Sequence, residues 1–233
     1  VVKPSMRPVA AWLAARDDTV FDEIIVREPE LLLNAGDPES LPLAQRKRAL
    51  RAFVEKHRAG GWRGLSVPAI QRHRFASPDL GPAIKRLWDE DIENPEIRKL
   101  LLTLIGLGKA SECADIAYAS TMNGLAPYGE RIDALIALFA LDDHRLPEIC
   151  QNLAEDATLW PNRLARSALL RLFPAHLPVA LLAQTLTRVT EAKRSVGDIS
   201  WKLPRFIEHE PLSPELLEQL REQLTVLVTE GIT

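Results

Sequence analysis

The feature that most constrains this sequence is a series of helix-length amphipathic segments with short connections between them. Three of them follow one another between residues 94 and 141. In the first, apolar residues recur at the spacing that gathers side chains on one helical face, namely Ile97, Leu100, Leu101, Leu104 and Ile105. This pattern predicts helices that pack side by side.

Local signals predict where these helices begin and end. Asn94 is expected to cap the first helix, with Pro95 at the first helical position, where a missing N–H costs nothing. Gly106 and Gly108 are expected to end it through the backbone freedom of glycine. A second helix is predicted at about 111–123. A third is predicted at about 127–141, and its inward side chains are expected to be Ile132, Leu135, Ile136 and Phe139.

The helical segments form pairs at a nearly regular period. The pairs begin near Asn94, Pro127, Pro161 and Gly197, at intervals of 33, 34 and 36 residues. A helix pair cannot bury its apolar stripe alone, so neighbouring pairs must stack. We therefore predict an all-α fold, an α-solenoid of stacked helical hairpins (HEAT-like repeats) without a β-sheet. The sequence lacks the Trp, Gly, Tyr and Pro residues that tetratricopeptide repeats keep at fixed positions, so a tetratricopeptide array is not predicted.

Two regions are expected within this array. Residues 1–93 form an irregular helical part with a basic segment at 41–76, and residues 94–233 form the helix-pair repeats, continuous with it as one solenoid. Residues 62–77 are expected to be a loop with one short helix. Leu217, Leu220, Leu224 and Leu227 are expected to face inward from the last helix. The remaining helices are predicted at 8–16, 18–27, 42–58, 77–88, 161–173, 178–193 and 213–229.

Composition excludes several classes of protein. The net charge of −3 gives no overall attraction to nucleic acid or anionic membrane, and no apolar run of 18 residues exists, so we expect no membrane partner. The two cysteines, Cys113 and Cys150, lie in amphipathic patterns and are expected to be buried thiols, which fits a reducing cytoplasm. Because the chain begins at Val1, we expect a fragment of something longer.

No motif predicts a catalytic residue, a cofactor or a metal. Residues 106–111 resemble the end of a phosphate-binding loop, but Thr103 and Ala110 stand where that loop needs glycine and Ser or Thr. Residues 64–68 begin like a nucleophile elbow, but Pro68 replaces its last glycine. The trios 142–144 and 208–210 are adjacent residues that point in different directions, so capping and exposure explain them.

One local charge imbalance remains. Residues 41–76 carry nine basic residues and one acidic residue, whereas residues 1–40 carry four and eight. With Trp62 and Phe75 among its cations, this basic segment suits binding of phosphates and bases. In a second interpretation its cations pair with the acidic N-terminal segment or with another part of a larger protein. The candidate residues for binding a polyanion or a partner are Arg46, Arg51, Arg58, Trp62, Arg63, Arg72 and Arg74.

The stretch before the basic segment resembles a known family. Residues 28–33 (Glu-Pro-Glu-Leu-Leu-Leu), 36–38 (Gly-Asp-Pro) and 41–42 (Leu-Pro) look like the helical region that follows the NTPase core of large bacterial STAND/NACHT-type proteins. The similarity covers about residues 9–65. It implies a helical array that senses a ligand or holds the core inactive. No Walker A or Walker B motif occurs in the sequence, so the resemblance implies a sensor or scaffold without the NTPase.

Two functional hypotheses follow. In the first, the chain is a non-enzymatic helical-repeat scaffold or sensor segment of a larger bacterial, cytoplasmic protein, and it contacts a protein partner or other domains of that chain. In the second, it binds nucleic acid through the basic segment, as a HEAT-like DNA glycosylase would.

Overall fold

A computed structural model of the chain describes residues 2–60, 64–189, 199–209 and 212–229. Every regular element in these ranges is an α-helix or a 3₁₀ turn, which confirms the all-α prediction. None of the described helices has the length and the apolar character needed to cross a membrane. The predicted helix end at Lys193 and the predicted pair start at Gly197 lie outside the described residues.

The chain divides into two compact units. The first consists of Val1–Thr121 with Gly129–Asp143, and the second of Met122–Tyr128 with His144–Thr233. The predicted division into 1–93 and 94–233 rests on helix pairing, a different criterion, and stays a prediction.

The first unit contains nine described helices. Met122 and Tyr128, which are end residues of two of these helices, belong to the second unit. These helices are α1 (Arg7–Ala14), α2 (Asp18–Arg27), α3 (Glu30–Asn34), α4 (Leu43–His57), α5 (Ala69–Phe75), α6 (Gly81–Trp88), α7 (Pro95–Gly108), α8 (Ala114–Met122) and α9 (Tyr128–Leu141). Short 3₁₀ turns occur at Pro4–Met6, Pro38–Ser40, Pro78–Leu80 and Ser111–Cys113. Helix α4 packs against α2, α3 and α6, and α7 packs against α5 and α6. The buried residues between them include Phe21, Leu50, Phe53, Ile84 and Leu101.

Side chains cap the starts of α2 and α7, and the cap predicted at Asn94 is confirmed. Asp17 accepts hydrogen bonds from the backbone N–H groups of Thr19 and Val20, at 2.8 and 3.2 Å. Asn94 is fully buried, and its Oδ1 accepts from the Glu96 N–H at 2.9 Å. Its Nδ2 also donates to the His57 carbonyl at 2.9 Å. Asn94 therefore joins the end of α4 to the start of α7, one of the three helices that build the groove described below.

The end of α7 lies where the sequence predicts it, but the predicted reason is wrong. Gly106 and Gly108 are helical, and the left-handed residue is Lys109, with φ of 51°. A Cβ on Gly106 would lie 3.0 Å from the Ala137 Cα, and one on Gly108 would lie 2.8 Å from the Ser77 carbonyl oxygen. Close packing against neighbouring backbone therefore selects glycine here.

The inward face of α9 was also predicted incorrectly. Ile132 and Leu135 are buried, but Ile136 and Phe139 are each 41% exposed. The buried side chains instead include Ala134, Ala137 and Leu138. Because α9 is apolar around most of its circumference, spacing alone could not define which face packs inward.

The second unit contains α10 (Leu146–Glu155), α11 (Asn162–Leu172), α12 (Val179–Arg188), α13 (Ile199–His209) and α14 (Pro214–Thr229). Helix α12 packs against α10 and α14. The largest fully buried side chain is Trp160. On α14, Leu220 is buried as predicted, whereas Leu217 is 42% exposed, so its predicted inward placement is wrong.

Candidate functional site

Arg51 on α4, and Arg58 at its C-terminal end, lie beside acidic side chains of the first unit. The Nε of Arg51 donates to Glu55 at 2.7 Å, and its Nη2 lies 3.5 Å from Glu90. Nη1 of Arg58 lies 3.4 Å from the same Glu90 carboxylate. The hydrogen bond to Glu55, followed by the charges of Glu55 and Glu90, raises the pKa of Arg51. Arg51 and Arg58 therefore lie close together, but they share one internal counter-ion, Glu90.

Other cations of the basic segment pair with the acidic N-terminal segment, which is what the second interpretation expected. Three ion pairs of 2.7, 3.0 and 3.8 Å make this connection, namely Arg48–Asp22, Lys56–Glu30 and Arg74–Asp37. Partial burial on its own would raise the pKa of Glu30, but hydrogen bonds from its own backbone N–H and from Lys56 bring that pKa below its usual value. These pairs lower the cationic potential that a phosphate backbone would meet.

Arg46 has a local structural role. Its Nε donates to the Leu41 carbonyl at 3.1 Å, and its Nη1 donates to the Phe75 carbonyl at 3.4 Å. Phe75 itself is buried, so its ring cannot stack on a base in this conformation. Trp62 and Arg63 lie outside the described residues.

Arg72, on α5, differs from the other candidates. Its side chain is half-buried, and within the described ranges no carboxylate lies at ion-pair distance from it. Its Nε is inaccessible and has no hydrogen-bond partner among the described residues. Arg72 lines two cavities that share two further residues, Thr103 and Asp133. Together these cavities form what we call the α5–α7–α9 groove.

The groove is built by three helices that are distant in sequence. Its first cavity, about 220 Å³, is also lined by Phe53, residues 64–67, Glu96, Ile97, Lys99 and Leu100. Its second cavity, about 210 Å³, is also lined by Leu102, Gly106, Leu107, Ile136, Ala137 and Ala140. The small side chains at 106, 137 and 140 leave the space that the second cavity occupies.

The charges in the groove are unequally compensated. The Nζ of Lys99 lies 3.7 Å from Oδ2 of Asp133, so this carboxylate has a cation beside it. Thr103 donates its hydroxyl to the Lys99 carbonyl at 2.9 Å. The guanidinium of Arg72 has no acidic counter-ion in the described part of the chain.

The groove offers space for side chains in two cavities. Each cavity is smaller than the roughly 300–1,000 Å³ of typical small-molecule sites. The described residues contain no cluster of His, Cys, Asp or Glu suited to a metal ion. Both cysteines are buried, and burial raises their pKa values to about 11 for Cys113 and about 12 for Cys150, so neither is an activated nucleophile.

A second concave surface lies between α4 and α6, and we call it the cationic cleft. It has a volume of about 140 Å³ and is lined by Ala83, Leu87 and four cations, namely Lys47, Arg48, Arg51 and Arg86. Two of these cations, Arg48 and Arg51, already have the acidic partners given above. This cleft is where a polyanion would bind under the nucleic-acid hypothesis.

Sequence reasoning identified one residue of the α5–α7–α9 groove, Arg72, and assigned Ile136 to the core. The signal that could have revealed Ile136 is the apolar character of α9 on more faces than one neighbour can cover. Thr103 and Leu107 carried no separate signal.

No protein-family model, no curated protein and no solved structure matches the chain.

Proposed function

We propose that this chain is a non-enzymatic helical-repeat scaffold or sensor segment of a larger bacterial, cytoplasmic protein, and that it contacts a protein partner through the α5–α7–α9 groove. The spacing of 33 to 36 residues between helix pairs supports a HEAT-like solenoid. The resemblance of residues 28–42 to the region after a STAND/NACHT-type core supports the placement in a larger protein.

The observation that carries the proposal is the groove itself. Its cavities have the size of side chains, and Ile136 offers an exposed apolar surface beside the half-buried cation of Arg72. Protein interfaces are centred on such apolar pockets with a few polar groups that fix orientation. Because the groove is formed by packed helices, its shape is held before a partner arrives, which lowers the entropic cost of binding.

The nucleic-acid alternative draws support from the cationic cleft. Phosphates entering that cleft would compete with Asp22, Glu55 and Glu90 for the same guanidinium groups. This competition favours protein contacts over nucleic-acid binding as the function of the basic segment.

Selection of phage-displayed random peptides on the whole chain tests the proposal. We expect a sequence motif to be enriched whose binding is lost in Ile136→Asp, because a carboxylate there removes apolar surface from the groove. Val26→Asp is the matched control, since Val26 is 80% exposed on α2 and does not line the groove. Circular dichroism checks that both variants stay folded. Absence of an enriched motif, or binding that is unaffected by Ile136→Asp, would overturn the proposal.

A further inference from the structure

The guanidinium of Arg72 is the best indication of what the groove recognises. Arg46 and Arg72 are both half-buried, but the guanidinium of Arg46 donates to two backbone carbonyls, whereas the buried Nε of Arg72 has no described acceptor. A partly desolvated cation without a counter-ion is unfavourable, and a ligand that supplies a negative group relieves that cost.

The surroundings of Arg72 restrict the charge of that group. Glu96 and Asp133 also line the groove. A phosphate would bring a charge of roughly −1.5 to −2 toward these two carboxylates. A carboxylate brings a single charge, and it matches the planar donor geometry of a guanidinium. The groove is therefore better suited to a carboxylate.

The second cavity defines the other half of the ligand. Leu107, Ile136 and Ala140 line it together with Arg72. Its volume of about 210 Å³ provides room for one aliphatic side chain, and its exposed apolar surface gains from being covered. A ligand that carries an acidic group and an aliphatic group on one short segment would satisfy both parts of the groove.

We propose that the α5–α7–α9 groove binds an acidic peptide segment of a protein partner, in which an Asp or Glu pairs with Arg72 and a neighbouring aliphatic residue enters the cavity beside Ile136. This inference rests on the proposed function and specifies the chemistry of the partner.

Two parallel selections from a random peptide library test it, one on the wild-type chain and one on Arg72→Glu. Wild-type selection should enrich an acidic residue beside Leu, Ile, Val or Met. Selection on Arg72→Glu should enrich Lys or Arg at the same position, because the charge of the groove is reversed. A merely structural role of Arg72 would weaken the binding of all peptides without this exchange of charge.

A synthetic peptide from the wild-type selection then measures the contact. Changing its carboxylate to the amide should weaken binding about tenfold or more, the usual effect of losing a charged hydrogen bond. Arg72→Lys should recover part of the affinity that Arg72→Gln loses, because lysine keeps the positive charge but lacks the planar pair of guanidinium donors. Circular dichroism establishes that each variant is folded.

The outcomes separate the two proposals. Groove-binding peptides without an acidic residue, or equal affinity for the acid and its amide, would overturn this inference and leave the proposed function standing. No enriched peptide on the wild-type chain would overturn both.

Discussion

Replacing Gly108 by Ala tests whether close packing selects glycine at the end of α7. The backbone of Gly108 is helical, so helix propensity alone would make alanine more stable by up to about 1 kcal/mol. The new Cβ, however, would lie 2.8 Å from the carbonyl oxygen of Ser77 and 3.0 Å from its C and N atoms. These are backbone atoms of the residue that caps the 3₁₀ turn Pro78–Leu80, and they cannot move aside as a flexible side chain could.

Overpacking of this kind costs about 1–3 kcal/mol. The gain in propensity is smallest at the last helical residue, so we expect Gly108→Ala to lower the free energy of unfolding by about 1–2 kcal/mol. The matched variant is Lys109→Gly. Lys109 has φ of 51°, so glycine there should preserve the free energy of unfolding or raise it by about 1 kcal/mol.

Urea unfolding of the whole chain measures both effects as shifts of the midpoint at constant slope. A midpoint for Gly108→Ala at or above that of the wild type would refute the packing explanation. A midpoint for Lys109→Gly well below that of the wild type would refute the assignment of the left-handed cap to residue 109.

Three further predictions concern charges and thiols. Glu130 is buried and accepts hydrogen bonds of 2.7 to 3.0 Å from the guanidinium of Arg98. Glu130→Ala should lower the free energy of unfolding by about 2 kcal/mol, less than for a fully buried pair because Arg98 keeps some contact with water. An unchanged urea midpoint would contradict this. Labelled DNA and RNA should bind weakly at about 0.15 M salt, because Arg51 and Arg58 already have internal acidic partners. Tight binding that is lost in an Arg51→Glu, Arg58→Glu double variant would show that the basic segment binds nucleic acid. The two thiols, with pKa values raised to about 11 and about 12 by burial, should resist alkylation in the native chain at neutral pH and react readily in urea. Unfolded thiols ionise near pH 8.5, so the free energy of unfolding should also fall as the pH rises from about 8.5 toward the raised pKa values of the folded thiols. Rapid alkylation of the native chain would contradict the burial of both groups.

Local interactions made part of the fold predictable. The bounds of α2 follow from the Asp17 cap and from Pro29, and the start of α7 follows from Asn94 and Pro95. These signals act within a few residues, so the sequence displays them directly.

The face that each helix buries depends on its neighbours in space. Ile136 is exposed because the close contact of Gly106 with Ala137 fixes which side of α9 meets α7. The α5–α7–α9 groove brings residue 72 beside residues 103 and 133, a juxtaposition that no local pattern encodes. Likewise, charge counts revealed the imbalance at 41–76 but not that Glu90 would serve both Arg51 and Arg58.

Backbone amide chemical shifts of the isotope-labelled chain, recorded during titration with a library-selected peptide, test most directly whether the groove is the binding surface. We expect the largest shift changes at Thr103, Leu107 and Ile136, which line the groove. Changes centred on Lys47 and Arg86 in the cationic cleft, with the amides of the groove unaffected, would contradict the account.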